Sequence, residues 1–356
     1  MNYTEEEINL ITLCSFEELT YYHRSALLGG LTSTRPDFAK YEKSLIKSLS
    51  VGVYNKIKAA FYDAAYRRTV LDKLEKAGAQ CVTYFSKGYP GLLKNTDIPP
   101  IVLYCKGNIS LLNTDCFAVV GSRRTLPQAL KECKRIVKEL TQHFTVVSGI
   151  ADGADAAAVE GALESGRIIS VQANGFNHFY PAMNKPLIEK VAKRGLLLSE
   201  YPPEVAPQRH HFPIRNRIIA GLSKGTLIVS AGERSGALIT ANYAAEYGRE
   251  VFAFPYSIGV TAGKGCNHLI KNYGRLAENT LDIFDFFGLD FKPQDGVKLS
   301  DEEEKVLAAI RESGEAFISE LAEKLDTLPF RLIPTVSKLE IKGLIVRLGG
   351  NRFSAL

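Results

Sequence analysis

The sequence predicts an α/β protein built on a doubly wound parallel β-sheet, and two observations support this prediction. From residue 81 onward, short apolar runs alternate with segments of helical length, as they do in consecutive βαβ units. The runs are apolar at nearly every position, which is typical of strands buried on both faces of a parallel sheet. Residues from about Phe117 to Phe287 show the pattern most clearly.

Length and composition narrow the class of protein. At 356 residues the chain is long enough for two or three domains. Hydrophobic residues at 46% and charged residues at 23%, without a low-complexity run, indicate well-packed globular domains and argue against disorder. The net charge of +5 permits a polyanionic partner but does not demand one.

The sequence also carries signals about location. The N-terminus has no basic region followed by an apolar segment, so a secretory signal is not expected, and no apolar stretch approaches the ~20 residues that span a bilayer. The six cysteines show neither CxxC nor Cys/His spacing, which argues against a disulfide framework and against a zinc site. We expect a cytoplasmic protein.

The pattern along the chain predicts three domains. Residues 1–80 show helical apolar spacing and no alternating strand, which predicts a helical, SAM-like domain. Residues 81–290 form the α/β domain. Its predicted strands lie at 81–85, 101–105, 117–122, 145–149, 167–173, 195–201, 225–232 and 249–255.

The third domain, residues 296–356, begins after a proline and a glycine within 291–296. Three helical segments are followed by two short strands around Gly349 and Gly350, which is the order of a winged helix. Such a module docks on DNA or on protein. The basic residues of its candidate recognition helix are Arg331, Lys338 and Lys342, so DNA contact and a protein-docking or structural role both stay open.

In an open parallel sheet, ligands bind outside the carboxyl ends of the strands, near the point where the winding reverses. Small residues leave room there for backbone amides, the following helix N-termini add partial positive charge, and arginines bind phosphate through two nitrogens. This pattern predicts a phosphate-binding crevice, and the absence of G-x-G-x-x-G argues against NAD. The strand-end residues are Gly121, Ser122, Arg123, Arg124, Ser148, Gly149, Asn174, Gly175, Ser230, Ala231, Gly232 and Pro255.

These motifs have simpler interpretations too. Gly121 to Arg124, taken alone, fits a tight turn with two solvated arginines, and the other strand ends are what favour a phosphate site. The stretch 148–155, which includes Gly153, fits a glycine turn, with Asp155 placed where a carboxylate favours the helix dipole.

A helix is predicted to begin near Pro213, a residue suited to the first helical position. Its first turns hold Arg215, Asn216 and Arg217. Arg215 falls inside the apolar arc of a helical wheel, where a buried arginine needs a partner such as Glu200. The functional alternative is that Arg215 or Arg217 reaches into the crevice toward phosphate.

Two further helix starts are expected at the crevice. Ser235 and Gly236 precede an alanine-rich helix that contains Thr240. Another helix opens with Lys264, Gly265 and Asn267, where Lys264 is either a phosphate contact or a solvated loop charge.

No catalytic motif accompanies this crevice. The six histidines form no H-E-x-x-H, and neither a G-x-S-x-G elbow nor a Walker A motif occurs. We expect no catalytic residues, no metal and no cofactor, and therefore a protein that is not an enzyme.

Ordered motifs over about Ser86 to Phe287, together with the C-terminal segment, resemble the DprA (Smf) family. They are VVGSRR, SGIADGADAAAVEGAL, LLLSEYPP, FPIRNRIIAGLS, ERSGALITANYAAEYGREVFAFP and GKGCNHLI. The resemblance implies a Rossmann-like domain that binds single-stranded DNA cooperatively and without strong sequence preference. It also implies a protein that protects incoming DNA and loads the RecA recombinase in natural transformation.

The resemblance further implies site and partner residues. Phe212 would stack on bases, and a homodimer would form around His268 to Leu276. The chain departs from the family pattern at Asp152, where a basic residue is usual, and at Val159, Ser230 and Tyr273-Gly274. The DNA pocket would contain Gly121, Ser122, Arg123, Ser148, Gly149, Phe212, Arg215, Asn216, Arg217, Ser235, Gly236 and Asn267.

Two alternatives remain beside the DNA-binding hypothesis. One is a nucleotide-binding or phosphoribohydrolase-like Rossmann protein, although Ser235 to Thr240 lack the glutamate that such hydrolases place in this region. The other is a divergent family member that senses nucleotides or acts in phage defence, suggested by Asp152 and Val159.

Overall fold

The computed structural model describes residues 3–291, 299–341 and 344–355, in two compact units, Met1–Phe291 and Lys292–Leu356. The first unit combines helices with a mostly parallel sheet, which confirms the predicted mixed α/β class. Lys342 and the predicted domain junction at 292–296 lie outside the described residues.

The N-terminal segment is helical, as predicted. Thr4 caps α1: its hydroxyl accepts from the Glu7 N–H, while the Glu7 side chain accepts from the Thr4 N–H. Leu10, Phe61 and Tyr104 belong to one buried cluster, so the helices share a core with the sheet, and a domain boundary at residue 80 stays a prediction. The helices are α1 (Glu5–Cys14), α2 (Tyr21–Leu27), α3 (Phe38–Leu49), α4 (Val51–Tyr62) and α5 (Ala64–Ala77).

The described part of the first unit contains a nine-stranded sheet of order β1-β2-β6-β5-β4-β3-β7-β8-β9. The strands from β3 to β9 are parallel, whereas β1 pairs antiparallel with β2, and β2 with β6. The strands are β1 (Gln80–Thr83), β2 (Val102–Gly107), β3 (Cys116–Val120), β4 (Thr145–Ser148), β5 (Ile168–Gln172), β6 (Leu196–Ser199), β7 (Gly225–Ile228), β8 (Glu250–Ala253) and β9 (Arg275–Leu276).

Helices connect these strands and cover both faces of the sheet. The chain runs from β3 through β4 and β5 to β6 in one direction and then returns to place β7 on the other side of β3. The winding therefore reverses between β3 and β7, where a ligand crevice is expected. The helices are α6 (Gly91–Lys94), α7 (Pro127–Leu140), α8 (Ala154–Leu163), α9 (Lys185–Arg194), α10 (His211–Leu222), α11 (Gly236–Glu246), α12 (Lys264–Asn272) and α13 (Leu281–Phe287).

One helix start differs from the prediction. α10 begins at His211, which makes Pro213 its third residue rather than its first. Proline is tolerated there because the first four N–H groups of a helix have no partner within it.

The second unit contains α14 (Asp301–Ser313), α15 (Ile318–Lys324) and α16 (Pro329–Ile341), with a sheet of order β10-β12-β11. Its strands are β10 (Glu315–Phe317), β11 (Ile345–Leu348) and β12 (Arg352–Ala355), all paired antiparallel. The three helices and the terminal hairpin agree with the expected order, while β10 was not predicted. A separate buried cluster that includes Leu307, Val336 and Phe353 forms the core of this unit.

None of the helices in the described segments is long and apolar enough to cross a membrane.

Candidate nucleic-acid interface

A crevice of about 470 Å³ lies outside the carboxyl ends of β3 and β7, where the winding reverses. It brings together residues from three predicted motifs that are up to about 120 positions apart in the sequence. The predicted residues that line it are Gly121, Ser122, Arg123, Arg124, Phe212, Arg215, Asn216, Ser235, Gly236 and Thr240.

The loop after β3 forms one wall. Gly121 must be glycine, because a Cβ there would lie 2.6 Å from the Cβ of Ala154 and 3.0 Å from the backbone nitrogen of Ser230. The Ser122 N–H donates to the Ser230 carbonyl at 2.8 Å, and the Ser122 hydroxyl accepts from the Arg124 N–H at 3.2 Å. These contacts fix the loop against the end of β7.

Arg123 and Arg124 project from this loop and are exposed. Among the described residues, neither has a carboxylate within 4.0 Å, although many other arginines of the chain do. Two unpaired guanidinium groups beside a cleft suit a phosphate-bearing ligand, because each can form a bidentate, charge-assisted hydrogen bond.

The N-terminus of α8 supports this loop from below. Gly153 has a φ of +78°, and a Cβ there would meet the carbonyl oxygens of Ser122 and Arg123 at 2.5 Å. The Ala154 N–H donates to the Ser122 carbonyl at 3.2 Å. Gly153, which was predicted to bind the ligand, therefore supports the loop that carries the arginines.

Arg215 and Asp155 form the floor of the crevice, and both are buried. Gly149 makes room for them, since a Cβ there would lie 2.2 Å from Asp155 Oδ2 and 2.8 Å from Arg215 Nη1. Arg215 Nη1 donates to the Val171 carbonyl, whereas Nε has no partner. The floor thus holds a buried guanidinium with unused hydrogen-bonding capacity.

Burial dominates the electrostatics of this floor. Burial raises the pKa of Asp155, and the opposing effects of Arg215 and of the N–H groups of Gly121 and Ala151 do not cancel it. Burial likewise lowers the pKa of Arg215, although Asp155 opposes that change. An anion in the crevice would stabilise the charged form of Arg215.

Three helices begin at the crevice, and their N-termini contribute partial positive charge. α8 begins behind the β3 loop, α10 contributes Phe212 and Asn216 from its first two turns, and α11 contributes Ser235 and Gly236. Ser235 caps α11 by accepting from the Ala237 N–H at 3.3 Å, and Asn216 Nδ2 donates to the Gly236 carbonyl at 3.3 Å. The three arginines and three helix ends outweigh the one lining carboxylate.

An aromatic pair flanks the positive wall. The rings of Phe212 and Tyr180 lie 5.2 Å apart, and both residues line a narrow extension of the crevice together with Arg123 and Asp152. Asp152 Oδ1 accepts from Asn184 Nδ2 at 3.1 Å. Tyr180 was not among the predicted site residues, although the aromatic-rich stretch at 176–180 was an available signal.

Several predicted residues lie elsewhere and have structural partners. The Ser148 hydroxyl is buried and donates to the Val119 carbonyl at 2.7 Å. Asn267 bonds the backbone of Tyr256 through both side-chain atoms, and the Gly265 N–H donates to the Ala231 carbonyl at 2.7 Å. Lys264 lies 3.2 Å from the Glu233 carboxylate on the surface. None of these residues is among those that line the crevice.

Arg217 faces away from the crevice. Its Nη2 donates to both oxygens of Glu200 at 2.6 and 2.7 Å; the Arg217 side chain is buried, and that of Glu200 is 13% exposed. Burial acts to lower the pKa of Arg217, but Glu200 outweighs it, so the pKa is raised. Glu200 was one of the carboxylates suggested as a partner for Arg215, and the structure pairs it with Arg217.

The described residues contain no group of three or more histidine, cysteine, aspartate or glutamate side chains that could hold a metal ion. The six cysteines are all buried and unpaired. Burial raises the pKa of Cys14 to about 11, so this thiol is a poor nucleophile near neutral pH.

Together, fold and site define a mostly parallel α/β protein with an arginine-lined crevice at its switch point. Residues 80–288, more than half of the chain, match the model of the family described as DNA recombination-mediator protein A. The chain belongs to this family, whose curated relatives carry the names DprA and Smf, and the resemblance seen in the sequence is confirmed.

Curated relatives are similar over more than half of the chain. DNA processing protein DprA of Bacillus subtilis is 40% identical over 219 residues, which cover 61% of this chain and 74% of the relative. DNA processing protein DprA of Streptococcus pneumoniae is 42% identical over 196 residues, which cover 55% of this chain and 70% of the relative.

Solved structures are similar as well. The X-ray structure of DprA from Streptococcus pneumoniae aligns with a TM-score of 0.62 at 32% identity, covering 83% of this chain and 100% of that one. DNA processing protein A from Helicobacter pylori, solved for its single-stranded DNA binding mode, aligns with a TM-score of 0.55 at 28% identity. That alignment covers 60% of this chain and 97% of the other.

Proposed function

We propose that this protein binds single-stranded DNA in the crevice, protects incoming DNA in the cytoplasm, and loads RecA recombinase during natural transformation. One observation carries the proposal: unpaired Arg123 and Arg124 stand over buried Arg215 where three helices begin. A phosphate backbone matches that charge, and the Phe212–Tyr180 pair offers rings for bases, a combination typical of sequence-tolerant strand binding.

The test is a salt titration with a labelled oligonucleotide. Each phosphate that the protein contacts loses its condensed counterions to the solvent. A plot of log affinity against log salt concentration is therefore expected to be linear, with a slope of about −0.7 for each phosphate contacted. Arg123→Ala is expected to weaken binding to every sequence alike and to make the slope shallower by about one contact. Arg68→Ala, which removes an exposed arginine of α5, serves as the matched control and is expected to change neither quantity.

Two results would contradict the proposal. Binding that is absent, or that does not depend on salt, would exclude backbone recognition. An unchanged affinity in Arg123→Ala, with wild-type behaviour in Arg68→Ala, would return Arg123 to the role of a solvated turn residue.

We also propose that the second unit is a winged helix that docks on protein rather than on DNA. The exposed side of α16 carries Ile333 and, in its first turn, Phe330, with Leu328 just before the helix. The described basic residues of this helix are Arg331 and Lys338, which is little charge for a DNA-binding surface. Large exposed apolar side chains are typical of protein contacts.

The proposed homodimer would use residues 268–276, at the end of the sheet. This region includes β9, an edge strand of the described sheet, where Leu276 in the strand and Tyr273 just before it are each 45% exposed. An edge strand with exposed apolar neighbours suits pairing with a second copy.

A further inference from the structure

A second cavity, of about 600 Å³, lies on the other side of α10. It is formed within the first unit by α2, the chain after β6, and parts of α10 and α11. We call it the tyrosine cleft, after the rings that line it. They are Tyr21, Tyr22, Tyr201, His210, His211 and Tyr243.

The rings are arranged for stacking. Tyr201 and His211 already stack, with centroids 4.0 Å apart and planes inclined by 22°. Burial and neighbouring His210 lower the pKa of His211, so its ring is neutral near pH 7. Tyr22 is 69% exposed and forms a T-shaped pair with Tyr21 at 5.7 Å, which leaves at least one face of its ring open to a flat ligand.

The charge of the cleft differs from that of the crevice. Arg217 is neutralised by Glu200, and the remaining charged lining residues, Arg24 and Glu17, are of opposite sign. A neutral aromatic cavity suits a nucleobase better than a phosphate, whereas the crevice has an excess of arginine.

The cleft also contains unused hydrogen-bond donors. Arg217 is 4% exposed, and its Nη1 has no partner, because Glu200 accepts only from Nη2. Arg24 Nε is likewise buried without a partner, while its Nη2 donates to the Phe16 carbonyl at 2.8 Å. Donors left unpaired beside a cavity point to a ligand with acceptor atoms, such as the edge of a base.

The first turns of α10 separate the crevice from the cleft. Phe212, Arg215 and Asn216 line the crevice, whereas Ile214 and Arg217 line the cleft. A helix with its side chains is about 10–12 Å across, so a strand can pass from one cavity to the other within a few nucleotides. Ile214 is 39% exposed on that path.

We propose that the tyrosine cleft binds a nucleobase of the same single strand whose phosphates occupy the crevice. This inference rests on the proposed function. The strand crosses α10 near Ile214, and one of its bases stacks on Tyr22 of α2. Tyr243 of α11 offers a second ring in the same cleft. The protein therefore binds a longer stretch of strand than the crevice alone can hold. The nucleotide in the cleft is held by stacking rather than by charge.

Tyr22→Trp provides a direct test, because the chain contains no tryptophan and the substitution introduces a single fluorescent reporter. Labelled oligonucleotides of about 4 to 20 nucleotides cover the range of known single-strand site sizes. We expect the longer strands to quench Trp fluorescence at this position and the shortest, which fill only the crevice, to leave it unchanged. Tyr62→Trp, at a similarly exposed tyrosine of α4, is the matched control and should not respond.

Affinity measurements complete the test. Tyr22→Ala and Tyr243→Ala are each expected to weaken long strands about tenfold, with no effect on the shortest and no change in salt slope, because stacking neutralises no phosphate. Tyr62→Ala is expected to behave like wild type.

The outcomes separate this inference from the proposed function. If Arg123→Ala weakens binding but both tyrosine variants match wild type at every length, the cleft is not part of the strand's path. If Arg123→Ala also has no effect, the proposed function itself fails. Quenching by a free deoxynucleoside monophosphate but by no oligonucleotide would identify the cleft as a mononucleotide site and overturn the inference.

Discussion

Asp152 is the residue that fits least well with a phosphate-binding site. It lines the narrow extension of the crevice together with Arg123 and Arg215, so its negative charge lies beside the proposed path of the strand. The structure also gives it a local role, because it accepts a hydrogen bond from Asn184, which also donates to the Ile150 carbonyl at 2.8 Å. An isosteric substitution of Asp152 can therefore separate the effect of its charge from the effect of its hydrogen bond with Asn184.

Asp152→Asn is expected to bind single-stranded DNA more tightly, by about two- to tenfold at low salt. The change removes one negative charge near the phosphates but keeps an oxygen that accepts from Asn184. Fluorescence anisotropy at two salt concentrations measures the gain, which should shrink as salt rises. Asp72→Asn, at an exposed position of α5, is the control and should not change the affinity. Weaker binding by Asp152→Asn would show that the carboxylate itself contacts the ligand.

At the same scale, the sequence predicted the crevice better than it predicted the roles of single arginines. Small residues at strand ends identified the loop at Gly121 to Arg124, because close packing there excludes a Cβ. The helical wheel placed Arg215 on the buried side of α10, as the structure does, but it gave no sign that Arg217 is buried as well. It assumes one buried face, whereas α10 is buried around most of its circumference, so both arginines needed partners.

α10 is the element on which both cavities depend. One side of it carries Arg215 and Asn216 into the crevice, and the other carries Arg217 to Glu200 at the end of β6. Ile218 and Ile219, farther along the helix, are buried in the core on the same side of the sheet as α11. The ion pair therefore anchors the N-terminal half of α10 to the carboxyl end of β6.

Glu200→Gln is expected to lower the free energy of unfolding by about 3–5 kcal/mol, because it leaves the Arg217 guanidinium buried without a counter-charge. Glu250→Gln is the matched control, since the Glu250–Arg275 pair at 2.7 Å is more exposed and should contribute at most about 1 kcal/mol. Urea denaturation of both variants measures the difference. Equal effects would mean that the buried pair does not anchor α10.

The sequence predicted strands well wherever a long helix separated them. In those places a short apolar run alternates with a segment of helical apolar spacing, and the two patterns are easy to tell apart. β1 and β2 were assigned to the parallel series and are antiparallel. Their apolar runs look alike in either orientation, and only the four-residue helix α6 lies between them. β9 and β10 were missed because strands of two and three residues are too short to show a pattern.

At the scale of the whole chain, the structure divides into two units, and the boundary that the sequence predicted at residue 80 stays a prediction. The N-terminal helices and the sheet share one buried cluster, which apolar spacing alone cannot reveal because it shows which residues are buried but not against what. The second unit has its own core, separate from the two clusters of the first. The residues that line the crevice all belong to the first unit.

A chain that ends at Phe291 is therefore expected to fold and to bind single-stranded DNA with the affinity and salt slope of the full-length protein. It keeps the crevice and the tyrosine cleft, and it loses a unit whose exposed α16 surface is apolar. In the full-length protein, Phe330→Glu should likewise leave DNA binding unchanged, because Phe330 is 63% exposed and lies outside the crevice. A shallower salt slope in the shortened chain, with wild-type melting behaviour, would show that the second unit contacts phosphates and would reverse the assignment of α16 to protein docking.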